Sequence, residues 1–156
     1  MATHDVLHGI GVSAGTAAAP AAIVQPAPGV DTTEPGSVDA AADGARVREA
    51  LATVSARLSE RAANAPEETK AILKATAQLA GDRGLAKAVD KKLKKGLGVT
   101  QAVHDAVEDY AQMLRSLGGY MAERATDLYD VRDRAICELR GLPEPGVPAF
   151  DGPVVL

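Results

Sequence analysis

The sequence of 156 residues is poor in cysteine and in aromatic residues, with one cysteine, no tryptophan, one phenylalanine and three tyrosines. A single cysteine excludes an internal disulfide bond and is typical of a reducing, cytoplasmic compartment. The scarcity of aromatic rings leaves little for nucleic-acid bases to stack on, and the net charge of −4 provides no general attraction to nucleic acid. The apolar segment 17–24 is short and contains Pro20, so we expect no membrane insertion.

The chain also lacks a recognisable catalytic or metal-binding arrangement. Its three histidines, His4, His8 and His104, are not grouped with cysteine or carboxylates at the spacing of metal sites. No nucleophile–base arrangement and no phosphate-binding loop is evident. His104 is expected to be a partly buried helix residue. Cys137 falls opposite the apolar stripe of its helix, which predicts a surface or interface thiol.

Helical periodicity dominates the chain from about Val38 to Arg140. Apolar residues recur every three or four positions, which predicts five helices. These run from Ser37 or Asp39 to about Ala63, from Pro66 to a break at Gly81, from Asp82 to Gly96, from Thr100 to Leu117, and from Tyr120 to Arg140. Thr100 is predicted to cap the fourth helix, and Gly141 to end the fifth as a C-terminal glycine.

The fourth and fifth predicted helices form the organising hairpin. Gly118 and Gly119 between them are poor helix formers, so the chain can reverse there. The facing apolar stripes comprise Val103, Val107, Tyr110, Leu114 and Leu117 in the fourth helix, and Met121, Ala125, Leu128, Val131, Ala135 and Leu139 in the fifth. With aromatics so scarce, we expect a core of alanine, valine and leucine.

Both ends of the chain differ from this helical middle. Residues 1–25 include the β-like stretch Val6–Gln25, which predicts two short strands around a turn at Ala14-Gly15. Residues 26–36, with three prolines and two glycines, predict a linker before a helical subdomain at 37–142. Residues 143–156 predict a second linker and the start of a strand that continues beyond Leu156. The predicted fold is therefore mainly α, an antiparallel bundle of two helical hairpins with short β-strand pieces at both ends.

Five lysines crowd the last turns of the third predicted helix: Lys87, Lys91, Lys92, Lys94 and Lys95. Cations stabilise the negative end of the helix dipole, which is the ordinary explanation for such a cluster. No aromatic residue is interleaved with them, which argues against a nucleic-acid patch.

Three segments in order carry a family resemblance: residues 9–17 followed by Pro20, residues 67–85, and residues 123–142 with the sequence Glu-Arg-Ala-Thr-Asp-Leu-Tyr-Asp-Val-Arg-Asp-Arg at its start. Together they resemble the N-terminal domain of enzyme I, the phosphoenolpyruvate-protein phosphotransferase of the bacterial sugar phosphotransferase system. The resemblance runs from about Leu7 to Leu156. A histidine common in the family's docking helix is Thr76 here, and nearby acidic positions are Gly81 and Gly84.

The resemblance implies a fold and a function. Enzyme I moves a phosphoryl group from phosphoenolpyruvate through a histidine to the carrier protein HPr. Its N-terminal half pairs a helical subdomain that docks HPr with an α/β subdomain that carries the phosphohistidine. By this resemblance the chain docks HPr, lacks the phosphohistidine segment and is inactive alone. It holds no cofactor, whereas full-length members use Mg²⁺ and dimerise through a C-terminal domain that is not represented in this sequence.

The resemblance also implies a docking face, because HPr presents basic residues beside an apolar patch. Carboxylates around small apolar residues would complement such a surface. The predicted HPr-binding residues are Glu67, Glu68, Ala71, Ala75, Leu79 and Asp82 on one helix and its end, with Leu114, Arg124 and Asp127 from the facing hairpin. Without the resemblance, the carboxylates are explained by the favourable charge at a helix N-terminus, and the apolar residues by the core.

Two other classes compare with this interpretation, of which the first stays open and the second fails on its glycine spacing. One is a non-enzymatic helical adaptor or regulatory module. The other is a nicotinamide-binding enzyme, indicated only by Gly9, Gly11 and Gly15. Their spacing is one residue too long for the dinucleotide fingerprint, and Pro20 argues against a following helix. Whether a sugar or a nitrogen branch is served also stays open.

Overall fold

The computed structural model describes residues 8, 10, 14–15, 18–148, 150 and 152–155, and within them five α-helices form the body of the molecule. The helices are α1 (Ala40–Ala63), α2 (Glu67–Ala80), α3 (Arg83–Leu93), α4 (Val99–Leu117) and α5 (Gly119–Arg140). All five predicted helices are confirmed, with ends that differ by at most about three residues, the usual uncertainty of a helix end. Within the described residues no helix combines the length and apolarity needed to cross a membrane.

The helices pair as two hairpins. In the first, α1 packs against both α2 and α3; in the second, α4 packs against α5, and α5 also contacts α1 and α2. The largest fully buried side chains are Leu58, Leu85, Leu93, Leu128, Ile136, Val47, Val54, Val89, Val103, Val107 and Val131. The core is thus built from leucine, valine and alanine with one isoleucine, and the predicted mainly α fold is confirmed.

Two side-chain caps and one glycine close three of the helix ends where the sequence predicts them. Oδ1 of Asp39 accepts hydrogen bonds from the N–H groups of Ala41 and Ala42, each at 3.0 Å, at the start of α1. Asp82 does the same for α3 through its Oδ1. Gly141 ends α5 with φ 63° and ψ 30°, the left-handed conformation that glycine adopts without a steric cost.

The predicted capping role of Thr100 is wrong. Gly98 is the N-cap of α4 and makes no side-chain cap. The cap comes instead from Glu34, whose Oε2 accepts from the N–H of Thr100 at 2.8 Å and from its hydroxyl at 2.7 Å. The linker reaches this position because it folds back along the α3–α4 corner, where the N–H of Ser37 donates to the carbonyl of Leu97 at 3.1 Å.

The two ends of the chain meet through isolated β-bridges. Ala21 forms a parallel bridge with Val155, and Gln25 forms an antiparallel bridge with Gly146. The strand pieces at both ends are therefore present as bridges between remote segments. The predicted local strand pair depends on residues 6–12, most of which lie outside the described residues. The predicted domain boundaries stay predictions.

Three single-residue assignments are wrong. Cys137 is 2% exposed rather than at the surface, since α5 packs against α1 and α2 as well as α4 and is buried on more than one side. Leu117 and Met121, assigned to the core stripe, are 64% and 44% exposed. They lie in the end turns of α4 and α5, outside the core cluster, where little else of the molecule covers them.

Candidate functional site

The candidate site is built on helix α2, which divides into a packed side and an open side. Thr76, Ala77 and Ala80 are buried on the packed side. The opposite side consists of Ala71, Ala75, Gln78, Leu79 and the Asp82 that follows the helix, all exposed or half-buried. Steps of three and four residues keep these side chains on one face. This face of α2 therefore stays available to a partner.

A groove runs between this face and the end of the α4–α5 hairpin. Its volume is about 260 Å³, and it is lined by Ala75, Gln78, Leu79, Asp82, Leu114, Tyr120, Met121 and Arg124. Its floor is mostly apolar, and Leu114 at the bottom is 6% exposed. The groove is open to solvent and shallow, which suits contact with another protein surface better than enclosure of a small substrate.

Charged groups form the rim of the groove. Arg124 lies over the ring of Tyr120, 4.8 Å from the centroid, donates a hydrogen bond to its hydroxyl, and pairs with Asp127 at 2.9 Å. The hydrogen bond to the Tyr120 hydroxyl, with the Asp127 carboxylate, raises the pKa of the Arg124 guanidinium. The rim thus holds the positive charge of Arg124 in a fixed orientation, paired with the carboxylate of Asp127.

The opposite rim carries Asp82. Its Oδ1 accepts the N–H groups of Gly84 at 2.6 Å and Leu85 at 3.0 Å, so the carboxylate is oriented by the start of α3. Tyr110 lies close by, and burial together with the Asp82 charge raises the pKa of its hydroxyl. A Cβ added to Gly84 would meet that hydroxyl, so a glycine leaves room for the ring at this corner.

The structure brings together six of the nine predicted HPr-binding residues, five of them in the groove lining, and separates the other three. Ala75, Leu79, Asp82, Leu114 and Arg124 line the groove, and Asp127 joins them through Arg124. Glu67, Glu68 and Ala71 are exposed on the N-terminal half of α2. Because a helix rises about 1.5 Å per residue, Glu67 lies roughly 12 Å along the axis from Ala75, so these carboxylates flank the groove without lining it.

Sequence reasoning missed Gln78, Tyr120 and Met121 in the groove. Gln78 lies on the same helical face as Ala75 and Leu79, so helical spacing alone could have included it. Tyr120 and Met121 directly follow the glycine pair that reverses the chain, where an apolar residue has few neighbours to cover it. The exposed Ile72 and Leu117, 59% and 64% exposed, add apolar surface outside the groove lining.

The groove lining contains no histidine. Thr76 is buried, and its hydroxyl donates to the carbonyl of Ile72 at 3.1 Å, so it presents no titratable group. His104 on α4 is partly buried as expected, with Nδ1 3.2 Å from Asp105 Oδ1. Across the described ranges, no three His, Cys, Asp or Glu side chains are arranged to hold a metal ion.

Two helical hairpins with an open groove between them define a small helical module. A family model described as "PEP-utilising enzyme, N-terminal" matches residues 8–124. The chain belongs to this family.

The phosphoenolpyruvate-protein phosphotransferase of Streptomyces coelicolor is 40% identical over 118 residues, which cover 76% of this chain and 21% of that protein. The phosphoenolpyruvate-protein phosphotransferase of Haloferax volcanii is 33% identical over 89 residues, which cover 52% of this chain and 16% of that protein.

Solved structures agree with this assignment. The structure described as "N-terminal domain of Enzyme 1 - Nitrogen" superposes with a TM-score of 0.59 at 29% identity, covering 76% of this chain and 58% of that chain. An NMR solution structure of enzyme I superposes with a TM-score of 0.60 at 27% identity, covering 79% of this chain and 55% of that chain. The resemblance to the N-terminal domain of enzyme I is confirmed. The chain spans about one fifth of the length of the curated relatives it matches.

Proposed function

We propose that this chain is the HPr-docking part of a cytoplasmic phosphoenolpyruvate-protein phosphotransferase of the sugar phosphotransferase system. The observation that carries the proposal is the open groove with an apolar floor and charged rims, on a chain whose curated relatives are phosphoenolpyruvate-protein phosphotransferases. The docked carrier receives a phosphoryl group from a histidine elsewhere in the protein. The Mg²⁺ ion and the dimer contacts also belong to other parts of that protein.

The chemistry of the groove fits a carrier that must bind and leave quickly. Leu79, Leu114 and Met121 supply an apolar floor that the patch beside the HPr histidine would cover. The flanking carboxylates Glu67 and Glu68 attract the basic residues of HPr before contact. Exposed charges mainly raise the association rate and fix orientation, while a small apolar contact keeps affinity modest.

Reversal of the two flanking carboxylates tests the proposal. Glu67→Lys with Glu68→Lys should slow association of the HPr encoded in the same genome by about tenfold at low salt, because two attractive charges become repulsive. Stopped-flow mixing of labelled HPr at low and high salt measures the rate. The matched control, Glu49→Lys with Glu60→Lys, makes the same charge change at exposed sites on α1 and should have a much smaller effect.

A second variant separates the groove from the steering charges. Met121→Ser removes apolar contact area without a charge change, so it should raise the dissociation rate and leave the salt dependence unchanged. Equal effects of the test and control charge reversals would remove the α2 face from the docking site. A folded chain that does not bind this HPr at all would contradict the proposed function and favour a helical adaptor.

A further inference from the structure

Helix α3 carries a second surface that the groove does not use. Five exposed basic residues, three in α3 and two directly after its last residue, form this basic face: Arg83, Lys87, Lys91, Lys94 and Lys95. The first four fall within an arc of about 80° on the helix, with successive charges spaced about 4.5–6 Å along its axis. None of the five lies within 4.0 Å of a carboxylate in the part of the chain that the structure describes.

The helix dipole does not account for this face. Cations stabilise only the C-terminal end of a helix, where Lys91, the C-cap Lys94 and Lys95 lie, so the dipole leaves the other two members unexplained. Arg83 is the first residue of α3, where a positive charge opposes the dipole, and Lys87 lies in the middle. Lys92, by contrast, points to α4 and pairs with Asp109 at 2.7 Å. The basic face is therefore more than a C-terminal charge cluster.

The surroundings of the basic face argue against a membrane or a nucleic acid as its partner. The apolar side of α3, formed by Leu85, Val89 and Leu93, is buried in the core, and no large apolar residue of α3 is exposed. A basic patch without an apolar or lipid anchor gives only marginal membrane binding. No aromatic residue lies in α3 to stack a base, and the chain has an isoelectric point of about 5.4, unlike nucleic-acid-binding domains.

We propose that the basic face docks an acidic helix or segment of a second protein, with carboxylates that repeat at the same helical spacing. Lysines act as compact point charges, which suits pairing with a row of separate carboxylates better than bidentate capture of one phosphate. HPr presents basic residues by the family resemblance, so the basic face would repel it. The inference therefore concerns a second partner and holds independently of the proposed function.

The test uses two acidic peptides and the 156-residue chain. One helix-forming peptide, the row peptide, carries glutamate at every fourth position, so that its carboxylates lie along one face. The second peptide has the same composition, with its glutamates distributed around all faces of the helix. The row peptide should bind at least about fivefold more tightly, since only its carboxylates can face the lysines together. Lys87→Glu with Lys91→Glu should weaken binding at least about tenfold in low salt.

The matched control is Lys70→Glu with Lys74→Glu, which has the same spacing and charge change on α2 and should alter row-peptide binding by less than about twofold. Circular dichroism checks that all variants fold. Equal binding of the two peptides, or an equal loss in the control variant, would overturn the proposal. So would tighter binding to a DNA duplex or to phosphatidylserine vesicles than to the row peptide, which would assign the face to nucleic acid or to a membrane.

Discussion

At the scale of single residues, positions along α5 show how the exposure of a side chain depends on its depth in the bundle. Leu128 lies in the core cluster and is 1% exposed, whereas Tyr120, directly after the glycine pair at the hairpin tip, is 64% exposed. Cys137 lies deep as well, at 2% exposed, since α5 packs against three other helices. Burial, followed by the neighbouring Asp133 carboxylate, raises the pKa of the Cys137 thiol.

The buried thiol of Cys137 should be protected from reagents. A buried thiol with a raised pKa forms little thiolate, which is the reactive species, so labelling should be at least about tenfold slower in the folded chain than in urea. A thiol-specific chromophoric reagent measures the rate. The control moves the thiol to the surface in the variant Cys137→Ala with Leu117→Cys, which should react fast when folded. Equal rates in the two folded proteins would show that Cys137 is accessible.

The buried Leu128 should contribute strongly to stability. Leu128→Ala should lower the free energy of unfolding by about 2–5 kcal/mol, because it removes buried apolar surface and leaves a cavity. Urea denaturation followed by circular dichroism gives this value. Leu117→Ala makes the same chemical change at an exposed position and should cost less than about 0.5 kcal/mol. A loss below about 1 kcal/mol at Leu128 would place it outside the core.

At the scale of elements, α4 depends on a residue of the linker. The first turn of a helix leaves backbone N–H groups without partners, and in α4 the carboxylate of Glu34 satisfies that of Thr100. A Cβ on Gly36 would meet the carbonyl oxygen of Gly96, so the linker can lie this close to the α3–α4 turn only with a glycine there. The linker is therefore a structural part of the bundle.

Removal of the Glu34 carboxylate should loosen the start of α4. Glu34→Ala should lower the free energy of unfolding by roughly 0.5–2 kcal/mol, the cost of a lost N-cap, and speed hydrogen exchange of the Thr100 amide. Denaturation and exchange NMR measure both effects. Thr32→Ala, at an exposed linker position, serves as the control and should change neither quantity. An unchanged exchange rate in Glu34→Ala would mean that the cap does not form in solution.

At the scale of the whole molecule, one carboxylate fastens the C-terminal segment to the bundle. Glu144 accepts hydrogen bonds from Arg61 and Arg134 at 2.5 and 2.9 Å, and lies 3.4 Å from Arg57. The Glu144 and Arg134 side chains are 19% and 14% exposed, so this pair is shielded from solvent more than the pairs of Glu144 with Arg57 and Arg61, whose side chains are 45% and 52% exposed. The segment held in this way continues to Gly146 and its bridge with the N-terminal segment.

Loss of this carboxylate should release the junction between the chain ends. Glu144→Gln should lower the free energy of unfolding by about 1–3 kcal/mol, because the half-buried Arg134 loses a charged partner, and should speed exchange of the Gly146 amide. Asp109→Asn breaks an exposed pair with Lys92, where the Asp109 side chain is 62% exposed, and should cost less than about 1 kcal/mol. If Glu144→Gln has no larger effect than Asp109→Asn, the junction is not held by Glu144.

Local signals in the sequence determined the five helices and their hairpin order. These signals act over only a few residues, so they can be recognised without knowledge of the tertiary structure. They are the apolar spacing, the capping aspartates Asp39 and Asp82, and the glycines at 118, 119 and 141. The same spacing, joined to the family resemblance, placed Ala75, Leu79 and Asp82 on a face that the structure leaves open beside the groove.

Only the tertiary structure decided which side chains meet across long separations. Folding brings together the segments that form the Glu34 cap on Thr100, the Glu144 cluster and the buried site of Cys137. The periodicity along a single helix cannot predict these contacts. The groove has the same origin, because Tyr120 and Met121 reach α2 only when the second hairpin packs against the first. Helical period fixes the face on which a residue lies, whereas exposure depends on what packs against that face, and this is a property of the whole molecule.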